Sequence, residues 1–156
     1  MSDDAKQPLW TKEQIERFLA GAFPDPERSG RKFVIEALER HNVTMRLLYD
    51  DRNLRPGGTI QGPALMALAD VAAYTVVFAC YGDIAEGSAT TSFHMDFLRK
   101  SAPEDMIVDL NLVKPGRTLA VVDFGIRAAS SPKLVARGSG TYFIPTREYG
   151  NIIPSI

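Results

Sequence analysis

Apolar and polar residues follow two different patterns along this chain. Between Gly62 and Cys80 nearly every position is apolar, and Pro63 stands at the start of the run. Proline is favoured in the first turn of a helix because its missing N–H would have no partner there. The pattern therefore predicts a helix of about 18 residues that is apolar on almost every side. Such a helix must be enclosed on most of its surface, either by lipid or by the rest of the protein.

Shorter segments on both sides of this helix have the two-residue period of β-strands. FVIEALERH and VTMRLLYD precede it and predict a hairpin, with Val43, Met45 and Leu47 on one face. Four further candidates follow it: SATTSFHMDFLR, EDMIVDLNLV, TLAVVDFGIRAA and KLVARGSGTYFI. Clusters of Pro, Gly, Ser and Asp separate these segments and favour chain reversals. The alternation of Val108 with Asp109 indicates one buried face and one solvated face.

The order of these elements favours an α+β fold. Thr11 to about Phe23 predicts a short amphipathic helix with a Thr cap, and the tail from Pro145 has no period. An antiparallel sheet of about six strands wrapped around one long apolar helix is the hot-dog fold. We expect one domain over residues 1–156, with its core at about 33–144, its N-terminal helix at about 11–23 and its tail at 145–156.

Composition and charge narrow the classes of function. One cysteine, Cys80, excludes an intramolecular disulfide and a zinc site of paired cysteines, which favours a cytoplasmic protein. The 18 Lys and Arg against 19 Asp and Glu give no electrostatic indication of a nucleic acid or an acidic membrane as partner. Asp70 near the centre of the apolar run would cost about 2.5 to 3.5 kcal/mol in a bilayer, so a surrounding sheet is favoured over lipid. His41 and His94 are too isolated to predict a metal site.

Asp70 is the residue of the long helix that most needs an explanation. A carboxylate is rarely buried without a partner, and the stretch from Pro63 to Tyr81 contains no Lys, Arg or His. Local hydroxyls such as Thr75 or Tyr74, a second chain, or a polar opening could satisfy it. A carboxylate in a cleft can also act as a general base toward water or as a nucleophile toward an acyl carbonyl.

These segments resemble a known family. GGTIQGPALMALADVAAYTVVFA resembles the helix signature of the PaaI-like acyl-CoA thioesterases of the hot-dog superfamily. FLRKSAPED, VKPGRTLAVVD and LVARGSGTYFI resemble the later strands of that family, so the resemblance spans about 33–144. It implies a homodimer, often a dimer of dimers, that hydrolyses thioesters of coenzyme A without a metal or other cofactor. Coenzyme A is then part of the substrate.

The resemblance also implies roles for individual residues. Asp70 matches the catalytic carboxylate, and Gly62 matches the glycine whose backbone N–H holds the thioester carbonyl. Thr90 matches the hydroxyl residue that assists the carboxylate, with Thr91 as the alternative if the strand is shifted by one residue. Eight helical residues place Gly62 and Asp70 about 12 Å apart, too far to act on one carbon atom. If both act, they come from two subunits of a two-fold dimer.

Two positions depart from the family pattern. Gln61 stands where the family usually has histidine, and its amide could still orient the acyl carbonyl but cannot titrate. Arg55 stands where the family usually has asparagine. Its fixed positive charge could pair with Asp70 of the partner, bind a carboxylate on the acyl group, or reach a phosphate.

The remaining candidates concern substrate contacts. Met66 and Tyr74 on the helix are predicted to line the acyl pocket together with residues of the partner subunit. Basic residues near strand ends are candidates for binding coenzyme A: Arg99, Lys100, Lys114, Arg117 and Arg137. A hot-dog dehydratase is disfavoured because its helix signature would place a histidine where this chain has none. A non-catalytic acyl-CoA-binding or regulatory dimer remains the alternative, on account of Arg55 and Gln61.

Overall fold

A computed structural model describes residues 6–22 and 26–146 of the chain. The helices are α1 (Lys12–Ala22), α2 (Pro26–Ser29) and α3 (Gly62–Tyr81). The strands are β1 (Phe33–Leu38), β2 (Asn42–Leu47), β3 (Leu54–Arg55), β4 (Thr59–Ile60), β5 (Ala89–Phe97), β6 (Met106–Pro115), β7 (Leu119–Ala128) and β8 (Leu134–Phe143). Turns of 3₁₀ helix at Asp51–Asn53 and Gly82–Gly87 flank α3 and its preceding hairpin.

Six of the strands form one antiparallel sheet in the order β1-β2-β6-β7-β8-β5. α3 packs against its inner face, in contact with β1, β2, β6 and β7. The predicted hot-dog arrangement of about six strands around one long helix is confirmed. The alternation that predicted one buried face also holds, because Val108 and Leu110 are buried while Asp109 between them is exposed.

α3 is buried because it carries almost no polar side chains. Thirteen of its 20 residues are buried. The helix and the turn after it are long and apolar enough to cross a membrane, but 72% of an apolar 18-residue window within this stretch is buried inside the fold. Burial of this apolar surface contributes roughly 25 cal/mol per Å² to folding, so α3 and the sheet stabilise each other.

The first helix covers part of α3 that the sheet leaves open. Thr11 and Gln14 form the expected reciprocal cap, with the Thr11 N–H donating to Gln14 Oε1 at 2.7 Å. Ile15 is fully buried, and the rings of Trp10 and Phe18 pack on Phe78 of α3. The predicted end of this helix at Phe23 lies outside the described residues.

Three short elements were not predicted from the sequence. β3 and β4 pair as a two-stranded hairpin just before α3, with Arg55 opposite Thr59. The helical turn of α2 lies in the segment expected to be a connector. Elements of two to four residues are too short to produce a recognisable period, which explains why the pattern did not reveal them.

Glycines on β8 allow the sheet to pack closely. Gly138 and Gly140 share a face of the strand with Tyr142, and that face is turned toward the interior. A Cβ atom at Gly138 would lie 2.0 Å from the backbone oxygen of His94 and 2.6 Å from the ring of Phe124. β8 therefore sits where a larger side chain at position 138 would displace a neighbouring strand.

Gly138→Ala is expected to destabilise the protein by about 2 to 3 kcal/mol, because the added methyl group collides with backbone as well as with a packed ring. The measurement is the free energy of unfolding from urea denaturation. Gly21→Ala is the matched control: nothing lies within 4 Å of its added Cβ in α1. There alanine should leave stability unchanged or raise it by up to about 1 kcal/mol. Equal midpoints for wild type and Gly138→Ala would contradict the packing described for β8.

Candidate active site

Two hydroxyl groups of the sheet donate hydrogen bonds to the carboxylate of Asp70. Asp70 is half-buried in the middle of α3. The Tyr142 hydroxyl donates to Asp70 Oδ1 at 2.6 Å, and the Thr90 hydroxyl donates to the same oxygen at 3.3 Å. Thr90 and Tyr142 lie directly opposite each other where β5 pairs with β8. The sheet thus supplies the donors that α3 itself lacks.

A β-bulge determines which threonine reaches Asp70. The pairing of β5 with β8 shifts between Thr90 and Ser92, so Thr91 is the extra residue. Its hydroxyl donates to the backbone oxygen of Thr141 at 3.0 Å. Of the two alternatives that the sequence left open, Thr90 is therefore the one beside the carboxylate. Its catalytic role stays a prediction.

The local hydroxyls proposed as partners of Asp70 bond elsewhere. Thr75 is buried and donates to the backbone oxygen of Val71 at 2.8 Å, while Tyr74 donates to the backbone oxygen of Glu86 at 3.3 Å. Tyr142 was not predicted as a partner. The available signal was its position on the inner face of the last strand, since a buried tyrosine hydroxyl usually finds a hydrogen-bond partner.

Tyr142 is held in its protonated form. It is 2% exposed. Burial, followed by the adjacent carboxylate of Asp70, raises the pKa of Tyr142 well above its ordinary range. The phenol therefore remains a hydrogen-bond donor throughout the pH range in which the protein is expected to work.

An apolar cavity of about 710 Å³ opens beside Asp70. Residues of α1, β1, β2 and α3 form its walls, among them Leu19, Ile35, Met45 and Val71. Arg31 also lines it, and the Arg31 Nε is buried without a hydrogen-bond partner among the described residues. The cavity has the size and apolar lining of a small-molecule pocket.

A second pocket, of about 380 Å³, contains Gly62. Arg55, Arg99 and Lys100 lie around it together with Phe97. The Arg55 Nε donates to Thr59 Oγ1 at 2.9 Å, which keeps this side chain on its own hairpin. Three cations thus gather at the N-terminal end of α3, where the helix dipole also favours a negative charge.

Gln61 immediately precedes this helix end. Its backbone N–H donates to Asn53 O at 2.8 Å, and its side-chain Nε2 donates to Arg52 O at 3.1 Å. These bonds anchor the start of α3 to the preceding 3₁₀ turn. An amide nitrogen has two N–H groups, so one remains for the predicted contact with an acyl carbonyl.

The other predicted binding residues lie apart from these two pockets. Lys114 and Arg117 flank the turn between β6 and β7, where Gly116 O accepts a hydrogen bond from Tyr81 at the far end of α3. Arg137 lies in another concavity of the sheet, with its Nε 3.6 Å from Asp96 Oδ2. The structure therefore brings Arg99 and Lys100 to Gly62 but leaves the remaining three cations elsewhere in the single chain.

Met66 and Tyr74 do not line the cavity beside Asp70. Met66 is 44% exposed on the surface of α3. Tyr74 packs against Phe18 and Phe78, and burial raises the pKa of its phenol. Their contact with an acyl group stays a prediction that requires a second subunit.

No metal centre is formed by the residues that the structure describes. Among them, no three His, Cys, Asp or Glu side chains come together as metal ligands would. His94 is exposed, and its Nε2 lies 3.1 Å from Asp96 Oδ1.

The two pockets are separate in one chain. The cavity with Asp70 and the pocket with Gly62 share no lining residue. Both residues lie on the same continuous helix, with about 12 Å between them along its axis. Within a single subunit, Gly62 and Asp70 therefore lie in two separate pockets.

Comparison with known proteins assigns this chain to a family. The family model of the thioesterase superfamily matches residues 57–135, just over half of the chain. The structure is similar to that of a candidate thioesterase from Silicibacter sp. TM1040, with 38% identity, a TM-score of 0.79, and coverage of 91% of this chain and 96% of that one. The chain belongs to the thioesterase superfamily.

More distant structures share the fold. A thioesterase from Haemophilus influenzae has 17% identity and a TM-score of 0.75, with coverage of 91% of this chain and 95% of that one. A hypothetical thioesterase from Streptococcus pneumoniae, determined with coenzyme A, has 21% identity and a TM-score of 0.65 over 72% of this chain and 88% of that one. A search of curated proteins gave no match.

Proposed function

We propose that the protein is an acyl-CoA thioesterase that hydrolyses an acyl- or aryl-acyl-coenzyme A to the free acid and coenzyme A. The observation that carries this proposal is the carboxylate of Asp70, oriented by two hydroxyl groups at the wall of an apolar cavity. Membership of the thioesterase superfamily supports the reaction class. The pneumococcal structure determined with coenzyme A supports the choice of thioester.

In this proposal Asp70 acts as a general base. It takes a proton from a water molecule as the water oxygen attacks the thioester carbonyl, forming a tetrahedral intermediate. The backbone N–H of Gly62 from the other subunit, at the positive end of α3, stabilises the negative charge on its oxygen. Collapse of the intermediate breaks the C–S bond, and the proton passes to the thiolate of coenzyme A. Direct attack is the alternative: a carboxylate oxygen of Asp70 bonds to the acyl carbon, the C–S bond breaks, and coenzyme A leaves as the thiolate. Water then hydrolyses the resulting mixed anhydride, which releases the acid and restores Asp70.

The two pockets suit the two parts of the substrate. The apolar cavity beside Asp70 would take the acyl group. Arg55, Arg99 and Lys100 at the Gly62 pocket would contact phosphates of coenzyme A, because guanidinium and ammonium groups bind phosphate with charge-assisted hydrogen bonds. This position of Arg55 favours a phosphate over the acyl carboxylate among the roles that the sequence left open.

Further parts of the proposal rest on the sequence and the family. We propose a homodimer, or a dimer of dimers, since each subunit supplies half of every site. The reaction needs no metal or other cofactor in this mechanism. A cytoplasmic location is proposed from the single cysteine, Cys80.

Asp70→Asn tests the reaction directly. Release of free thiol from a panel of aliphatic, dicarboxylic and aromatic acyl-CoA substrates is expected to fall by about 10²- to 10⁴-fold, because asparagine cannot accept the proton. Dimer mass and thermal midpoint should stay at wild-type values, since the amide oxygen still accepts from Tyr142 and Thr90. Tight acyl-CoA binding by a wild-type protein that cleaves none of the panel would instead indicate the non-catalytic binder.

Gly62→Pro tests the backbone donor. Proline removes the N–H yet suits the first helical position, and Gln61 before it already has the extended ψ of 146° that a following proline requires. The turnover number should fall by about 10²- to 10³-fold. Gly62→Ala is the control, because it introduces the same Cβ, 3.3 Å from the Phe97 ring, but keeps the N–H. Equal losses in both variants would show a steric effect and count against an oxyanion donor.

Mixed dimers test whether the site is shared between subunits. Asp70→Asn and Gly62→Pro chains, each inactive alone, are unfolded together in equal amounts and refolded. Half of the dimers are then mixed, and each mixed dimer regains one intact site, so about a quarter of wild-type activity should return. If Gly62 and Asp70 of the same chain worked together, the mixture would stay as inactive as its components.

A further inference from the structure

We infer that Tyr142 is a positioning residue that holds the Asp70 carboxylate with Oδ1 turned into the fold and Oδ2 left for the reacting water. The Tyr142 hydroxyl lies 2.6 Å from Oδ1, and the weaker Thr90 contact of 3.3 Å is made to the same oxygen. Among the described residues, none donates a hydrogen bond to Oδ2. This role rests on the proposed function of Asp70.

The surroundings of Tyr142 fix its hydroxyl in place. β8 lies between β7 and β5, and Tyr142 is opposite Ala120 on one side and Thr90 on the other. The side chain is 2% exposed, so its ring has little freedom to adopt another rotamer. An O–H to carboxylate distance of 2.6 Å is typical of a charge-assisted hydrogen bond, which is stronger than one between neutral groups.

This contact affects the alignment of the proposed base. The terminal torsion of an aspartate is broad, so a carboxylate without such a bond can rotate and exchange its two oxygens. Without the Tyr142 hydroxyl, the carboxylate should therefore be less well aligned toward the reacting water.

Tyr142→Phe removes the hydroxyl and keeps the ring. We expect the turnover number to fall by about ten- to a hundredfold through lost alignment, with KM within about twofold of wild type. Tyr81→Phe is the matched control, because its half-buried hydroxyl bonds to Gly116 O, remote from Asp70. That variant should keep the wild-type turnover number and KM.

A second substitution keeps the hydroxyl. 3-Fluorotyrosine at position 142 keeps the packing and retains a phenol that donates to Asp70. Its turnover number should stay within about twofold of wild type, and a loss as large as that in Tyr142→Phe would count against the hydroxyl as the positioning group. This variant also keeps the inference testable if Tyr142→Phe fails to fold.

A wild-type turnover number in Tyr142→Phe would overturn the inference, as would a lowered thermal midpoint with unchanged kinetics. The ¹³C carboxyl resonance of Asp70, identified by its loss in Asp70→Asn, gives a readout that needs no turnover. Its chemical shift should change in Tyr142→Phe but not in Tyr81→Phe, and an unchanged chemical shift in Tyr142→Phe would refute the contact. A wild-type protein that cleaves no thioester would disprove the proposed function, whereas this resonance would still decide whether Tyr142 holds Asp70.

Discussion

A carboxylate on an apolar helix must find hydrogen-bond donors elsewhere in the fold, and the candidate site depends on how this requirement is met. α3 has no basic side chain, and its own hydroxyl groups bond to backbone oxygens. The donors come from β5 and β8, which pair with each other at one edge of the sheet. The register between these two strands, their position against α3 and the orientation of Asp70 are therefore one linked arrangement. A change in any one of them would leave a partly buried carboxylate without a hydrogen-bond partner, which would lower the stability of the fold.

Much of the fold and part of the site could be predicted from the sequence. Helix α3 and the six strands of the main sheet follow from the periods of their apolar residues, because each is long enough to show one. Asp70 could be identified as a candidate because it is a charged residue in an otherwise apolar helix. The separation of Gly62 from Asp70 follows from helical rise alone. Each of these features belongs to one continuous segment, so it can be predicted from the residues of that segment alone.

Other features depend on contacts between distant segments. Thr90 rather than Thr91 contacts Asp70 because the pairing of β5 with β8 contains a bulge, and β8 lies about 50 residues further along the chain. Tyr142 reaches Asp70 across 72 positions. The sequence also could not predict which basic residues lie together. Arg55 joins Arg99 and Lys100 at one pocket, whereas Arg137 lies beside Asp96. No local pattern distinguishes these cases, since each basic side chain is preceded and followed by ordinary strand or turn residues.

The walls of the apolar cavity beside Asp70 have a consequence for how substrate preference could change in evolution. Residues matched by the family model begin at position 57, after α1, β1 and β2, yet these three elements supply most of the cavity wall opposite Asp70. Substitutions at Leu19, Phe33 or Met45 alter the shape of the cavity without touching the helix that carries the carboxylate. In the proposed mechanism, the general base and the residues that select the acyl group are therefore encoded in different stretches of the chain. Substitutions in α1, β1 or β2 would change substrate preference while leaving Asp70 in place.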